Sequence, residues 1–268
     1  MIDVLAPQRP GTWSDGTVTV SRSAELDGAL VTVERAGGRV HLRHRLRPEH
    51  LRDSLAARLA AVATPRTVDE FERLVVGAVR STVDAADAAW LTYYRNSLAD
   101  LESGCTPFAP VHARAEELLE GDSLLDLGSC FGFFALRAAR RGWRVTASDL
   151  CPGTMDLLAR VAPDLGAPLR TLAADAAATG LPDGYADTVT ALHLLEHVPP
   201  AAGRAILAEA VRLARRRVIV AVPYEDEPDA RYGHVRTFTA AALRDLGAAT
   251  GLDFSVSEHH GGWLVLDR

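Results

Sequence analysis

The sequence predicts an α/β protein: a doubly wound, mixed sheet of seven strands ending in a β-hairpin, preceded by a small β-plus-helical N-terminal region. Three observations predict this. From about residue 111, short apolar runs alternate with helical patterns. The tail then breaks that alternation with two strand-like runs around Gly261-Gly262. Before residue 111, period-two patterns come first and three helical patterns follow.

The N-terminal elements follow from local signals. Gly16 to Val20 alternates, and Leu30 to Leu46 forms two alternating runs around Gly37-Gly38, a hairpin signal. Together they predict a small antiparallel sheet over about residues 10–47. Pro48 to Ala63 opens with a proline suited to a first helical turn, and Leu51, Leu55, Leu59 and Val62 share one face. Thr67 to Val83 starts on the capping box Thr67-Val68-Asp69-Glu70. Asp84 to Glu102 is a third helix, with Ala86, Trp90 and Tyr94 in one stripe. GCTPFAP reads as a linker, giving expected domains 1–105 and 106–268.

In the second domain, helix His112–Glu120 leads into strand Ser123–Leu127, helix Phe133–Arg141, strand Arg144–Ser148 and helix Thr154–Val161. Strands Leu169–Ala173 and Ala186–Leu192, helix Ala201–Arg215 and strand Arg217–Val222 continue the alternation. Helix Thr239–Thr250 and strands Phe254–Ser257 and Trp263–Asp267 complete it.

Composition excludes several function classes. All 29 Lys+Arg positions are arginine, so a Schiff-base or P-loop lysine is absent. A net charge of −6 argues against non-specific nucleic-acid binding. Apolar runs such as Val218 to Val222 are too short to span a bilayer, and the N-terminus lacks a secretory pattern. Cys105, Cys130 and Cys151 have neither metal-type spacing nor an even count. The expectation is a cytoplasmic protein with no membrane or nucleic-acid partner. The basic segment Arg39 to Arg52 could meet phosphates; the favoured reading is a solvated strand face and a helix start.

The stretch LLDLGSCFGFF, Leu124 to Phe134, runs from a strand through a glycine loop into a helix, the arrangement that presents backbone N–H groups to a ligand. Asp149 ends the next strand, where a carboxylate can accept both ribose hydroxyls, and Asp175 follows the third, where an acid can meet an adenine amino group. A dinucleotide loop needs glycines at 128, 130 and 133, and only Gly128 is there. The alternative pattern, acid-apolar-G-x-G-x-G, is met by Asp126, Gly128 and Gly132, with Cys130 departing from it. Asp126 discriminates: it would repel a diphosphate and suits an ammonium. Cys130 is then expected in a backbone conformation open to any residue.

With these residues, positions 110–268 resemble the class I S-adenosylmethionine-dependent methyltransferases, which implies a Rossmann-like fold and that cofactor. The cofactor set so implied is Asp126, Gly128, Ser129, Cys130, Gly132, Asp149, Leu150, Asp175, Ala176 and His193. The stretches WLTYYRNSLADLESG, FAPVHARA, LDLGSCFGFFALR, SDLCPGTM, YGHVR and EHHGGWLVLD extend the likeness over the whole chain. They resemble the mycofactocin oligosaccharide methyltransferases, implying O-methylation of a glucose hydroxyl on a glycan. The residues themselves indicate a polar, hydroxyl-type acceptor. A small-molecule enzyme acting on a phenol or quinone, and a cofactor-binding relative without activity, are the alternatives.

On the acceptor side, three segments should meet beyond the strand ends: HLLEH, the stretch from Pro223 to Phe238, and EHHGGW. A neutral hydroxyl needs a base or a metal to react. His193, Glu196 and His197 fall on one side of a helical turn, and with His234 they form the candidate catalytic set and a candidate divalent-metal site. His193 or His197 acting as a base without metal is the other reading. Tyr94, Tyr224, Glu225, His259 and His260 are the candidate acceptor contacts, with WLTYYRNSL expected to lie over the cofactor as a lid. His193-x-x-Glu196-His197 also matches an inverted zincin motif, which needs a long helix and leaves the cofactor features unexplained.

Overall fold

The computed structural model describes residues 4–6, 8–26 and 28–268, with the backbone alone at Arg231. The chain divides into two compact units, residues 1–106 and 107–268.

The first unit holds a four-stranded sheet of β1 (Thr12–Ser14), β2 (Val18–Arg22), β3 (Val31–Ala36) and β4 (Arg39–His44), in the order β1-β2-β4-β3. It is mixed rather than antiparallel as expected, because β2 and β4 run parallel. The β3–β4 hairpin closes tightly on Gly37 and Gly38, both with positive φ. The connection before β3 carries it one strand position past β2, so β4 returns into the gap alongside β2.

Three helices follow: α1 (Ser54–Ala63), α2 (Val68–Thr82) and α3 (Ala86–Glu102). The Thr67 side chain accepts the Glu70 N–H and caps α2. Gly77 lets α2 lie on the sheet, since a Cβ there would collide with Val20 and Trp13. The helix expected over Pro48–Ala63 is split: Pro48–His50 is a 3-10 turn and α1 starts only at Ser54. The Asn96 amide takes the Pro48 and Leu51 carbonyls at 2.9 Å each, and Ser97 Oγ takes the Asp53 N–H, so a continuous helix loses those groups.

The basic segment is bonded to this unit's own groups. Arg43 pairs with Glu34, Arg52 reaches Asp100 at 2.8 Å, and Arg45 donates to the Ala29 carbonyl. His44 is fully buried and bonded through Nε2 to Ser81 Oγ at 2.7 Å.

The second unit begins with α4 (Ala109–Leu118), then β5 (Ser123–Leu127), α5 (Phe133–Arg140), β6 (Arg144–Asp149), α6 (Pro152–Val161) and β7 (Arg170–Ala173). It continues with β8 (Ala186–Leu192), α7 (Pro200–Leu213), β9 (Ala214–Val222), α8 (Ala240–Ala248), β10 (Asp253–Glu258) and β11 (Gly262–Asp267). The sheet order is β10-β11-β9-β8-β5-β6-β7, parallel except where β11 runs antiparallel to β9 and β10.

Helix α4 starts earlier than expected because Pro110 fits its first turn. Strand β9 begins at Ala214 and so takes in Arg215, expected at the helix end, and Arg216, expected between helix and strand. Arg215 bonds Asp187 at 2.9 Å and Arg217 bonds Asp267 at 2.8 Å, so the strand satisfies their charges. The core packs Leu125, Val189, Val218, Val220, Leu264 and Leu266 against Ile206 and Leu213 of α7. Strand order reverses between β5 and β8, the place where sheets of this kind open a ligand crevice at their carboxyl ends. Among the described residues, no helix is long and apolar enough to cross a membrane.

Candidate cofactor and acceptor site

The crevice starts at the loop between β5 and α5. Gly128 and Gly132 both take the left-handed conformation, with φ of 66° and 73°. A Cβ on Gly128 would stand 2.6 Å from Leu194, and one on Gly132 would collide with Leu158. The two glycines thus let the loop settle onto its own protein, in addition to keeping its outer side open.

Cys130 corrects the sequence-based expectation. Its φ is 49°, left-handed, where a side chain costs about 1–2 kcal/mol. The loop imposes this through hydrogen bonds. Cys130 N–H donates to Asp149 Oδ2 at 2.9 Å, Ser129 N–H to the Ser148 carbonyl at 2.9 Å, and Gly132 N–H to the Ser129 carbonyl at 2.7 Å. The first of these has a charged acceptor and is the strong one.

Asp149 therefore ties the loop to the end of β6, and its Oδ1 also takes the Cys151 N–H at 3.0 Å. Beside it, Leu150 is 74% exposed, an apolar side chain held out where an aromatic ring can cover it. Asp175 is exposed, its Oδ1 bonded to the Ala177 N–H at 2.8 Å, and Ala176 packs partly buried below. Ser129 Oγ and Ser148 Oγ are buried with no hydrogen-bond partner among the described residues, polar atoms on both sides of the loop still to be satisfied.

Asp126 is buried behind the loop and accepts from Thr190 Oγ1 at 2.6 Å. Burial pushes its carboxyl up to about 7; the Thr190 bond opposes the shift and the charge of Asp149 adds to it. It thus stands near its titration point at neutral pH, ready to respond to a cation.

The second half of the crevice is the HLLEH segment. His193 leaves β8 with φ 52°, its N–H bonded to the Ala221 carbonyl, and its ring meets Phe108 edge-on at 5.3 Å. Its Nδ1 is 3.1 Å from Glu196 Oε1, close enough for an ionic contact but without hydrogen-bond alignment. Glu196 and His197 follow on a 3-10 turn, Leu195–His197. Glu196 is 1% exposed, and neither carboxylate oxygen has a hydrogen bond among the described residues.

The loop after β9 folds back onto this turn. Val235 N–H donates to the Glu196 carbonyl at 2.8 Å and Arg236 Nε to the Leu195 carbonyl at 2.9 Å. The guanidinium of Arg236 lies over Phe238 at 4.3 Å. His234 Nδ1 is 2.7 Å from Glu225 Oε2, and the His197 and His234 rings meet edge-on at 4.9 Å. Ligand atoms of Glu196, His197 and His234 lie within 4.8 Å of one another. Burial holds His197 below its ordinary value; Glu196 raises it and His234 lowers it further.

Four sequence expectations change here. His193 is outside the Glu196–His197–His234 group, because its left-handed backbone turns the ring toward Phe108 before the 3-10 turn begins. Glu225 orients His234 instead of standing open to an acceptor. Tyr94 is fully buried, edge-on to Tyr93 at 5.9 Å, in the apolar stripe of α3, and so presents no open face as a lid or acceptor contact. Tyr224 is partly buried across Gly262, and burial raises its hydroxyl. His259 and His260 are exposed on the β10–β11 turn, where Trp263 Nε1 holds the His259 carbonyl at 2.8 Å.

Sequence reasoning missed Phe108, His112, Thr190 and Arg236. Burial, aided by the charges of Arg137 and His193, lowers His112 to about 3. The i, i+4 spacing of Phe108 and His112 was a readable signal in a stretch taken for linker and helix start.

Sheet order, terminal hairpin and loop match the Rossmann-like fold found in methyltransferase structures. Residues 125–222, less than half of the chain, match the family model described as a methyltransferase domain. A protein of Pyrococcus horikoshii OT3 superposes with a TM-score of 0.51 at 15% identity, covering 65% of this chain and 97% of that one. A putative O-methyltransferase of Nostoc punctiforme PCC 73102 gives 0.50 at 17% identity, covering 67% and 60%. Magnesium protoporphyrin IX methyltransferase of Synechocystis PCC 6803, with bound SAM, gives 0.46 at 20% identity, covering 68% and 82%. No curated protein matches the sequence significantly. Residues 125–222 thus carry a methyltransferase-domain match within a Rossmann-like fold.

Proposed function

We propose that the chain is an S-adenosylmethionine-dependent O-methyltransferase acting on a glucose hydroxyl of the mycofactocin oligosaccharide. The observation that carries the cofactor half is Asp149 clamping the Cys130 N–H while buried Asp126 waits near neutrality behind the same loop. The glycan half rests on the sequence likeness from WLTYYRNSLADLESG to EHHGGWLVLD. The N-terminal unit contributes acceptor selection in this reading.

The donor set fits the cofactor. Asp126 suits the ammonium of a methionine moiety, Asp149 the ribose hydroxyls, and Leu150 with Asp175 and Ala176 the adenine. When bound, the cofactor supplies a methyl group on a sulfonium centre, an electrophile that needs a positioned nucleophile. The acceptor hydroxyl must give up its proton as it reacts, and an imidazole is the group at hand. His197 is exposed to solvent and held below its ordinary value, and its ring can accept that proton. His193 is the second imidazole at hand, its Nδ1 3.1 Å from Glu196 Oε1.

The test is incubation of the full chain with S-adenosylmethionine and a glucosylated acceptor, read by mass spectrometry. Gain of one methyl group on the sugar is expected. Methylation of phenols or catechols with the sugar acceptor untouched would overturn the acceptor assignment.

A further inference from the structure

Glu196 poses a problem that the methyltransferase fold does not solve. Its carboxylate is 1% exposed, and neither oxygen is hydrogen-bonded among the described residues. A buried carboxylate left that way destabilises a protein unless a cation compensates it. Arg236 feels the Glu196 charge, yet its Nε is committed to the Leu195 carbonyl and its Nη2 makes no hydrogen bond among the described residues, to Glu196 or otherwise. His193 Nδ1 approaches without alignment.

The neighbours that converge on Glu196 are imidazoles. One atom from each of Glu196, His197 and His234 falls within 4.8 Å of the others. His234 is only 10% exposed, and its Nδ1 is spoken for by Glu225 Oε2 at 2.7 Å. That leaves Nε2 as the atom it offers to the cluster. A histidine whose far nitrogen is held by a carboxylate is how metal-binding imidazoles are oriented. The backbone registers the two segments through the Val235 to Glu196 bond of 2.8 Å.

We propose that Glu196, His197 and His234 bind one divalent first-row transition-metal ion, with Glu225 orienting His234 and open positions left for an acceptor oxygen. Two imidazoles and one carboxylate favour manganese, iron, cobalt, nickel or zinc over magnesium and calcium, which prefer oxygen ligands throughout. Ligand atoms around such an ion stand about 3–3.5 Å apart, so the three side chains close by roughly an ångström. Three protein ligands leave room for a substrate, as in catalytic rather than structural sites. The site itself stands on these residues alone. Its role, polarising the acceptor hydroxyl so that the proton leaves more easily, now to His193 because His197 is a ligand, rests on the methyltransferase reading.

The experiment titrates metal-stripped full-length protein with Co2+, read by its visible absorption and by calorimetry. One ion per chain is expected, with nitrogen-ligand bands in the spectrum. His197→Ala and His234→Ala should lose the spectrum, and Glu225→Gln should weaken binding about 10–100-fold. His193→Ala should bind Co2+ as the parent does. Binding of S-adenosylhomocysteine by the His197 and His234 variants shows that they are folded. No Co2+ spectrum in a protein that binds S-adenosylhomocysteine would overturn the proposal and favour a Glu196–Arg236 ion pair; so would unchanged Co2+ binding by His234→Ala. Co2+ binding in a protein that ignores S-adenosylhomocysteine would keep the metal site and sink the cofactor reading instead.

Discussion

Replacing Asp126 with asparagine should flatten the pH dependence of S-adenosylhomocysteine binding. The carboxyl sits at about 7 because it is buried, with one hydrogen bond from Thr190 and the charge of Asp149 nearby. In the proposed site, only the ionised form attracts the ligand's ammonium. Its ionised fraction is about one-tenth at about pH 6 and about nine-tenths at about pH 8. Affinity of the parent should therefore rise about tenfold over that interval, about 1.4 kcal/mol, with proton release on binding.

The same shift has a stability sign. The folded value lies above the ordinary 3.8, so the folded state holds the extra proton between the two. Stability is lost as pH rises from about 4 to about 7, by at most about 4 kcal/mol. The Asp126→Asn variant would keep the Thr190 bond, because its amide oxygen still accepts, and would remove the titration. Calorimetry at three pH values, in buffers of different ionisation heat, measures both affinity and protons released. A parent protein with flat affinity, or an Asp126→Asn variant that keeps the tenfold slope, would refute the reasoning.

Three further outcomes are expected. Gly132→Val should abolish S-adenosylhomocysteine binding, since the side chain meets Leu158 and the φ of 73° disfavours it; near-parent affinity by calorimetry would count against the loop description. Cys130→Gly should raise stability by about 1 kcal/mol by relieving the left-handed strain, while Cys130→Ser keeps cofactor binding; urea unfolding and calorimetry check the pair. His44, lowered to about 4 by burial and then by the charge of Arg22, binds fewer protons folded than unfolded. Stability should thus be full above about pH 6.5 and fall by up to about 3 kcal/mol toward about pH 4. His44→Gln should lose that part of the acid sensitivity in urea midpoints.

Much of the second unit was legible because its signals are local and periodic. Short apolar runs between helices gave β5 to β9, and Gly261-Gly262 gave the last hairpin. What escaped depended on distant partners. Nothing near Pro48 says that Asn96 will take the carbonyls a helix would need there. Alternation in β2 and β4 gives their faces but not that they are parallel neighbours. Cys130 reads as an ordinary residue until Asp149, nineteen positions on, is seen to hold its N–H. At the site, residue types in HLLEH were informative and their directions were not. The backbone turn at His193 sets its ring against Phe108 with Nδ1 still 3.1 Å from Glu196, and the loop after β9 brings His234 into the group with Glu196 and His197.

The β5–α5 loop, clamped by Asp149, is the proposed binding element for the methyl-donor cofactor. Calorimetric titration of the full chain with S-adenosylhomocysteine tests it most directly. One ligand per chain is expected, with binding lost in Asp149→Ala, which removes the proposed ribose contact and the Cys130 and Cys151 anchors together. Absence of binding heat in the folded parent protein, or unchanged affinity in Asp149→Ala, would contradict the account.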